Sequence, residues 1–419
     1  MAPERFGNGP LGDLRVIEVG GEVGEWCAKL MADLGADVIK IEPPGGAAER
    51  EIGPFLDDIP TAERSLHFWH YNTSKRGITL DLESAAGREL FRRLADTADV
   101  VLESYPPGYL PSIGLGYREL EGSNPRLVMC SLTPFGQQGP WRDYRTSDLV
   151  HLAVGGQMGE CGYDEVDVAG APPIGPGGGN AWHTAGHYAF IGIMSALFYR
   201  GVQGAGQYID ASVHDACALT TEGGVTQWIY NHAVVKRQTG RHAAANPSPR
   251  TQFLCADGRY VNTLMFGLRM SPQQLLVVAD WFDQRGLAAD LKDEKYQDPE
   301  ALNGSMPHII EVAERFFAAT TSDEVYHGAQ QRGFALGPVR APEEVAADEH
   351  FRDRGFFVTV EHPELGRSFE YPGAAAIYHA SPWSIRRRAP LIGEDNVEVF
   401  GEIGVAREAL GVLRESGVI

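Results

Sequence analysis

Leu14-Arg15-Val16-Ile17-Glu18-Val19-Gly20-Gly21-Glu22-Val23-Gly24 is a strand that runs straight into a glycine turn. Four of the first six residues, Leu14, Val16, Ile17 and Val19, are apolar as in a strand, and Gly20-Gly21 breaks the run. Trp26, Cys27, Leu30, Met31 and Leu34 then recur at helical spacing until Gly35 stops the helix. Val38-Ile39-Lys40-Ile41 is a second strand. The same alternation continues downstream: Ile78 to Leu82 reads as a strand, Gly87 to Ala98 as a helix, and Val100-Val101-Leu102 and Arg126 to Leu132 as strands. Repeated strand–helix units predict a doubly wound, Rossmann-like α/β sheet with ligands at the carboxyl ends of its strands. From Ala181 to Arg200 one long helical pattern leads through Gly204-Ala205-Gly206 to the strand Gln207-Tyr208-Ile209-Asp210. Beyond about Thr221 the elements shorten and hairpin signals such as Asp257-Gly258 appear. The expected organisation is a large domain over residues 1–220, a smaller α+β domain over 221–335, and a C-terminal segment over 336–419 that returns to the large domain.

Composition narrows the function classes. The 419 residues are 43% hydrophobic, enough to bury a full core, and 36 basic against 56 acidic side chains give a net charge of −20. Such a surface repels nucleic acid and anionic membranes, so an anionic ligand requires a local basic pocket. The longest apolar stretch, Tyr188 to Tyr199, is short of the roughly 20 residues of a spanning helix. Met1 to Arg15 has no signal-peptide pattern, and a cytoplasmic protein is expected. Five scattered cysteines without a CxxC pair indicate neither a disulfide framework nor a zinc site.

Two segments bear on ligands. Val19 to Gly24 nearly matches the dinucleotide fingerprint, and Glu42 ends the next strand where a ribose-binding acid would sit, but Val19 occupies the place of the first glycine. A plain turn, another ligand and NAD all stay open on this motif. Asn72-Thr73-Ser74-Lys75-Arg76 sets polar side chains and two cations at a strand entrance, either to hold phosphates or as a solvated turn. His183 and His187, four apart, read as packed helix histidines in preference to metal ligands, since no third ligand has a recognisable spacing. Asp148, Asp210 and Asp215 read as caps and hydrogen-bond partners. Gly175 to Gly179 reads equally as a flexible entry and as a place where a ligand approaches the following helix.

Taken together, the segments resemble the family III coenzyme A transferases, the group of the formyl-CoA, carnitine and benzylsuccinate transferases. The likeness rests on "ADLGADVIKIEPPGG" (Ala32 to Gly46), "YNTSKRGITLDL" (Tyr71 to Leu82), "ESYPPGYLPSIGLGY" (Glu103 to Tyr117), "PRLVMCSLTPFGQQGPW" (Pro125 to Trp141) and "GAGQYIDASVHDA" (Gly204 to Ala216). It continues through Cys255 to Val261 and Phe334 to Gly366 to Ala389 to Phe400, nearly the whole chain. The resemblance implies an interlocked dimer and an acyl-CoA thioester as substrate, with no permanently bound cofactor and no metal. It places CoA against Val23, Asn72, Lys75, Ser104 and Tyr105. Val23-Gly24-Glu25 stands where the family has Ala-Gly-Pro, Ser104-Tyr105 where it has Asn-Phe, and Ser112 where an arginine is often found.

A further departure concerns the nucleophile. Family members are similar in using an aspartate at the start of the long helix to form an acyl anhydride and then an aspartyl-CoA thioester. Asn180-Ala181-Trp182-His183-Thr184-Ala185-Gly186 aligns with that context without a gap and sets Trp182 at the position of the aspartate. An indole accepts no acyl group. The expected role is the non-nucleophilic half of a heteromeric transferase whose paralogous partner keeps the aspartate. Alternatives are a homomeric CoA-thioester enzyme (transferase or lyase) with His183 or His187 as base, a racemase or isomerase that lacks its usual histidine at Ser147, and a CoA-binding protein without activity.

Overall fold

The computed structural model describes residues 8–164, 166–221, 223–266 and 270–419. Contacts divide the chain into two compact units. The larger holds the chain up to Gly155, Pro176–Thr220 and Glu349–Ile419; the smaller holds Gly156–Gly175 and Thr221–Asp348. Two limits differ from those read in the sequence. Residues 156–175 join the smaller unit because Asp164 and Tyr163 bond to Thr239 and Arg237. Residues 336–348 join it because Leu336–Pro338 pairs antiparallel with Tyr260–Thr263.

The larger unit alternates strands and helices: β1 (Arg15–Gly20), α1 (Glu22–Asp33), β2 (Asp37–Glu42), α2 (Leu66–Tyr71), β3 (Arg76–Thr79), α3 (Ala85–Ala95) and β4 (Val100–Ser104). It continues with α4 (Tyr109–Ser112), α5 (Tyr117–Leu120), β5 (Val128–Thr133), α6 (Asp148–Val154), α7 (Asn180–Gln203), β6 (Gln207–Ser212) and α8 (Val213–Leu219). The six strands form one parallel sheet in the order β3-β2-β1-β4-β5-β6. Strand order reverses between β1 and β4, which opens a crevice at their carboxyl ends. Val16, Ile17, Val38, Ile39, Val100 and Val101 are fully buried, as strands covered on both faces require.

β3 begins two residues before the expected strand and ends at Thr79. Its outer edge is bonded by the C-terminal segment instead of by a strand. Gly77 N–H donates to Asp395 at 2.7 Å, Asp395 N–H returns to the Gly77 carbonyl at 2.9 Å, and Thr79 N–H donates to Asn396 at 2.9 Å. Within the same segment Phe357–His362 and Arg367–Pro372 form an antiparallel hairpin.

α7 packs on α1 closely enough that Gly186 is needed: a Cβ there would lie 2.9 Å from Trp26 Cδ1. Its opposite face carries Ile191, Phe198, Tyr199 and Val202, all more than half exposed. Among the described residues no helix is long and apolar enough to cross a membrane. The smaller unit packs a three-stranded antiparallel sheet against the helices Pro272–Asp283, Met306–Ala318 and Ser322–Gln330 around Phe253, Phe282, Phe316 and Phe317.

Candidate active site

Gly20 ends β1 at φ +107, a conformation that glycine adopts without strain. A Cβ there would meet Ser104 Oγ at 2.5 Å, so the turn and the end of β4 are in direct contact. Ser104 Oγ donates to the Gly21 carbonyl at 3.1 Å. Gly20 and Gly21, with Pro43, Glu49, Tyr105 and Tyr109, line a cavity of about 380 Å³ at the strand-order reversal. Tyr109 O–H donates to Glu83, and burial pushes the Tyr105 hydroxyl up to about 12. Asp81 and Glu83 also line this cavity, and no lysine or arginine does among the described residues.

Glu22, the next residue in the turn, faces a second cavity of about 430 Å³. Trp26 of α1, His67 and Tyr71 of α2, Asp148 of α6 and Trp182 of α7 form its walls. The beginnings of four helices, α1, α2, α6 and α7, therefore meet here. Asp148 Oδ1 accepts the Ala181 N–H at 2.7 Å and so caps α7 from α6. Trp182 is 8% exposed, its ring centroid is 5.5 Å from that of His151, and it lines the cavity together with Glu22. Burial raises the Glu22 pKa above its ordinary value; His67 and Trp182 oppose this, and Glu25 adds to it.

The residues singled out in the sequence separate on this map. Tyr105 lines the first cavity, and Ser104 buttresses its turn. Val23 is half-buried on the first turn of α1. Asn72 and Lys75 are fully buried behind the site and face carboxylates. Lys75 Nζ lies 2.8 Å from Glu18 Oε2 and 2.9 Å from Asn72 Oδ1, while Asn72 Nδ2 donates to Glu25 at 2.9 Å. Lys40 Nζ completes the cluster at 3.0 Å from Glu25 and 3.3 Å from Glu18. Burial lowers the Lys75 pKa against the pull of Glu18. Burial would raise the pKa of Glu25, but Lys40, His67, Lys75 and Asn72 together hold it well below the carboxylate range. Arg76 is turned outward from the site to Asp37 and Glu402, and Glu42 is paired with Arg50 at 2.6 Å.

His183 is held beside the second cavity: its Nε2 is 2.7 Å from the Tyr71 hydroxyl and its ring stacks on Trp26 at 4.4 Å. Burial and His187 lower its pKa. His187 Nδ1–H donates to the His183 carbonyl, which leaves Nε2 to accept from the Trp26 indole.

The sequence pattern of CoA-transferase family III matches residues 11–396. The chain belongs to this family. The subunit BbsE of succinyl-CoA:(R)-benzylsuccinate CoA-transferase from Thauera aromatica is 33% identical, and the alignment covers 97% of each chain. The succinyl-CoA–L-malate CoA-transferase beta subunit of Chloroflexus aurantiacus is 30% identical over 98% of each. Among solved structures, a CAIB/BAIF family protein from Brucella suis superposes with a TM-score of 0.79 at 27% identity, covering 94% of this chain and all of the other. Trp182, which the sequence reading sets at the nucleophile position, lines the second cavity. The sequence reading passed over Glu22, Glu49 and Tyr109. The signal for Glu22 was an acid directly after the Gly20-Gly21 turn.

Proposed function

We propose that this chain is one subunit of a two-chain cytoplasmic enzyme that transfers coenzyme A between carboxylic acids, interlocked with a related chain that carries the aspartate. The observation that carries the reading is Trp182. It fills the aspartate position at the first turn of α7, in a family III chain whose relatives include polypeptides named as subunits of two CoA-transferases. The apolar outer face of α7 supports a partner chain, because isolated soluble chains rarely leave such a strip uncovered.

In this proposal the acyl-CoA nucleotide takes the cavity at the strand-order reversal, beside Tyr105 and over the turn that Ser104 supports, with Val23 at its edge. The acyl end reaches the cavity of Trp182. Asn72 and Lys75 act from beneath: they fix the start of α1 through Glu18 and Glu25 and do not touch the phosphates. The phosphates then rely on backbone N–H groups of the turn. The test is to purify the chain alone and with the product of its genomic neighbour, and to assay CoA exchange between succinyl-CoA and candidate acids such as benzylsuccinate. A stable complex whose turnover exceeds that of the chain alone by about tenfold or more supports the proposal. A chain that associates with no paralogue and turns over equally well by itself refutes it.

A further inference from the structure

The position of the missing aspartate is not the only place in the second cavity from which a carboxylate can reach an acyl group. Glu22 and Trp182 line it together, and Trp182 opposes the rise that burial gives the Glu22 pKa. The turn Gly20-Gly21-Glu22 is shared between the two cavities, since its glycines line one and its glutamate the other. A thioester with its nucleotide end in the first and its acyl end in the second passes Glu22. Of the other polar groups of the cavity, Asp148 accepts the Ala181 N–H through Oδ1, Tyr71 meets His183, and His67 Nε2 lies 3.6 Å from Glu25.

We propose that Glu22 is an acyl-accepting carboxylate of this chain, acting from the opposite wall to the residue that Trp182 replaces. The proposal rests on the CoA-transferase reading and goes beyond it, because the chain then carries a nucleophile of its own whether or not a partner supplies another. A Glu22 oxygen attacks the thioester carbonyl carbon, the carbon–sulfur bond breaks, and CoA leaves as thiolate from a mixed anhydride. The thiolate attacks the glutamyl carbonyl carbon and expels the donor acid as carboxylate, leaving a glutamyl-CoA thioester. An acceptor carboxylate repeats the two steps in reverse: it displaces the thiolate to form a second anhydride, and the thiolate takes the new acyl group and frees Glu22. Charge and atoms balance without an outside oxidant, reductant or net proton. Partial desolvation favours attack, since a carboxylate with a raised pKa is the stronger nucleophile once ionised.

The experiment uses the intact chain, alone and in complex with its paralogous neighbour. Each is mixed with succinyl-CoA, treated with borohydride to convert a glutamyl thioester to the alcohol, and mapped by peptide mass spectrometry. The expected result is reduction at Glu22 of this chain in both preparations, abolished in Glu22→Gln. Glu22→Asp, which keeps a carboxylate set back by one methylene, should label about tenfold less. Circular dichroism and the thermal midpoint identify any variant that fails to fold, and the unsubstituted chain alone still decides the question. Absence of label at Glu22, with label on the neighbour's aspartate, overturns the proposal while leaving the two-chain reading intact. Label at Glu22 with no association between the chains does the converse.

Discussion

Trp182 and Glu22 line the same cavity, and the role proposed for each can be tested by substitution. Trp182→Asp in a Glu22→Gln background returns a carboxylate to the first turn of α7 and removes the nearest competing charge. It should raise CoA exchange by the isolated chain about tenfold or more over the Glu22→Gln parent, by steady-state assay. A second residue is legible through pH. Glu103, at the end of β4, is 3% exposed and accepts the Tyr105 N–H at 2.9 Å, yet burial lifts its pKa from 4.5 to about 7. A raised carboxyl pKa means that the folded protein favours the protonated acid. The stability it allows is complete below about 4.5 and is lost as pH rises through about 7, a difference on the order of 3 kcal/mol. Glu103→Gln should therefore melt above the parent at about pH 8.5 and lose that advantage near pH 5, by scanning calorimetry. At this scale the sequence singled out Trp182, and the structure sets it in the wall of the second cavity. It disclosed Lys75 only as a cation: a lysine in a polar turn reads the same whether it meets a phosphate or a buried carboxylate.

Elements rest on that buried cluster. Glu18 lies on β1, Glu25 on α1, Lys40 on β2, and Asn72 and Lys75 between α2 and β3, so five side chains tie together the pieces that aim the glycine turn. Removing one partner of a buried pair strands the other's charge. Lys75→Ala should cost about 3–5 kcal/mol of stability in urea unfolding, with any loss of CoA affinity smaller than that. The strands and crossover helices were legible to within a few residues, since periods of 2 and 3.6 separate cleanly in a sheet buried on both sides. β3 shifted because Arg76 and Gly77, which carry no strand signal of their own, pair with Ile39 and Lys40 of β2. The limits of the smaller unit were illegible for a related reason: the pairing of Leu336–Pro338 with Tyr260–Thr263 joins segments more than 70 residues apart.

For the whole molecule, the exposed face of α7 sets the expectation. Phe198 is 78% exposed and Val202 68%. Phe198→Asp should weaken association with a second chain by about tenfold or more, as read by sedimentation velocity, and leave the thermal midpoint of the isolated chain nearly unchanged. The covering of β3 carries a different consequence. The groups that satisfy its outer edge come from Asp395 and Asn396, and Gly77 waits for a partner 318 residues further along the chain. During synthesis, at about 5–20 residues per second, the growing polypeptide shows an open parallel edge to its neighbours for on the order of a quarter of a minute or more. An edge left open in this way is expected to favour aggregation of the ribosome-bound chain. Only when Asp395 and Asn396 have been made can the edge at Gly77 and Thr79 be closed.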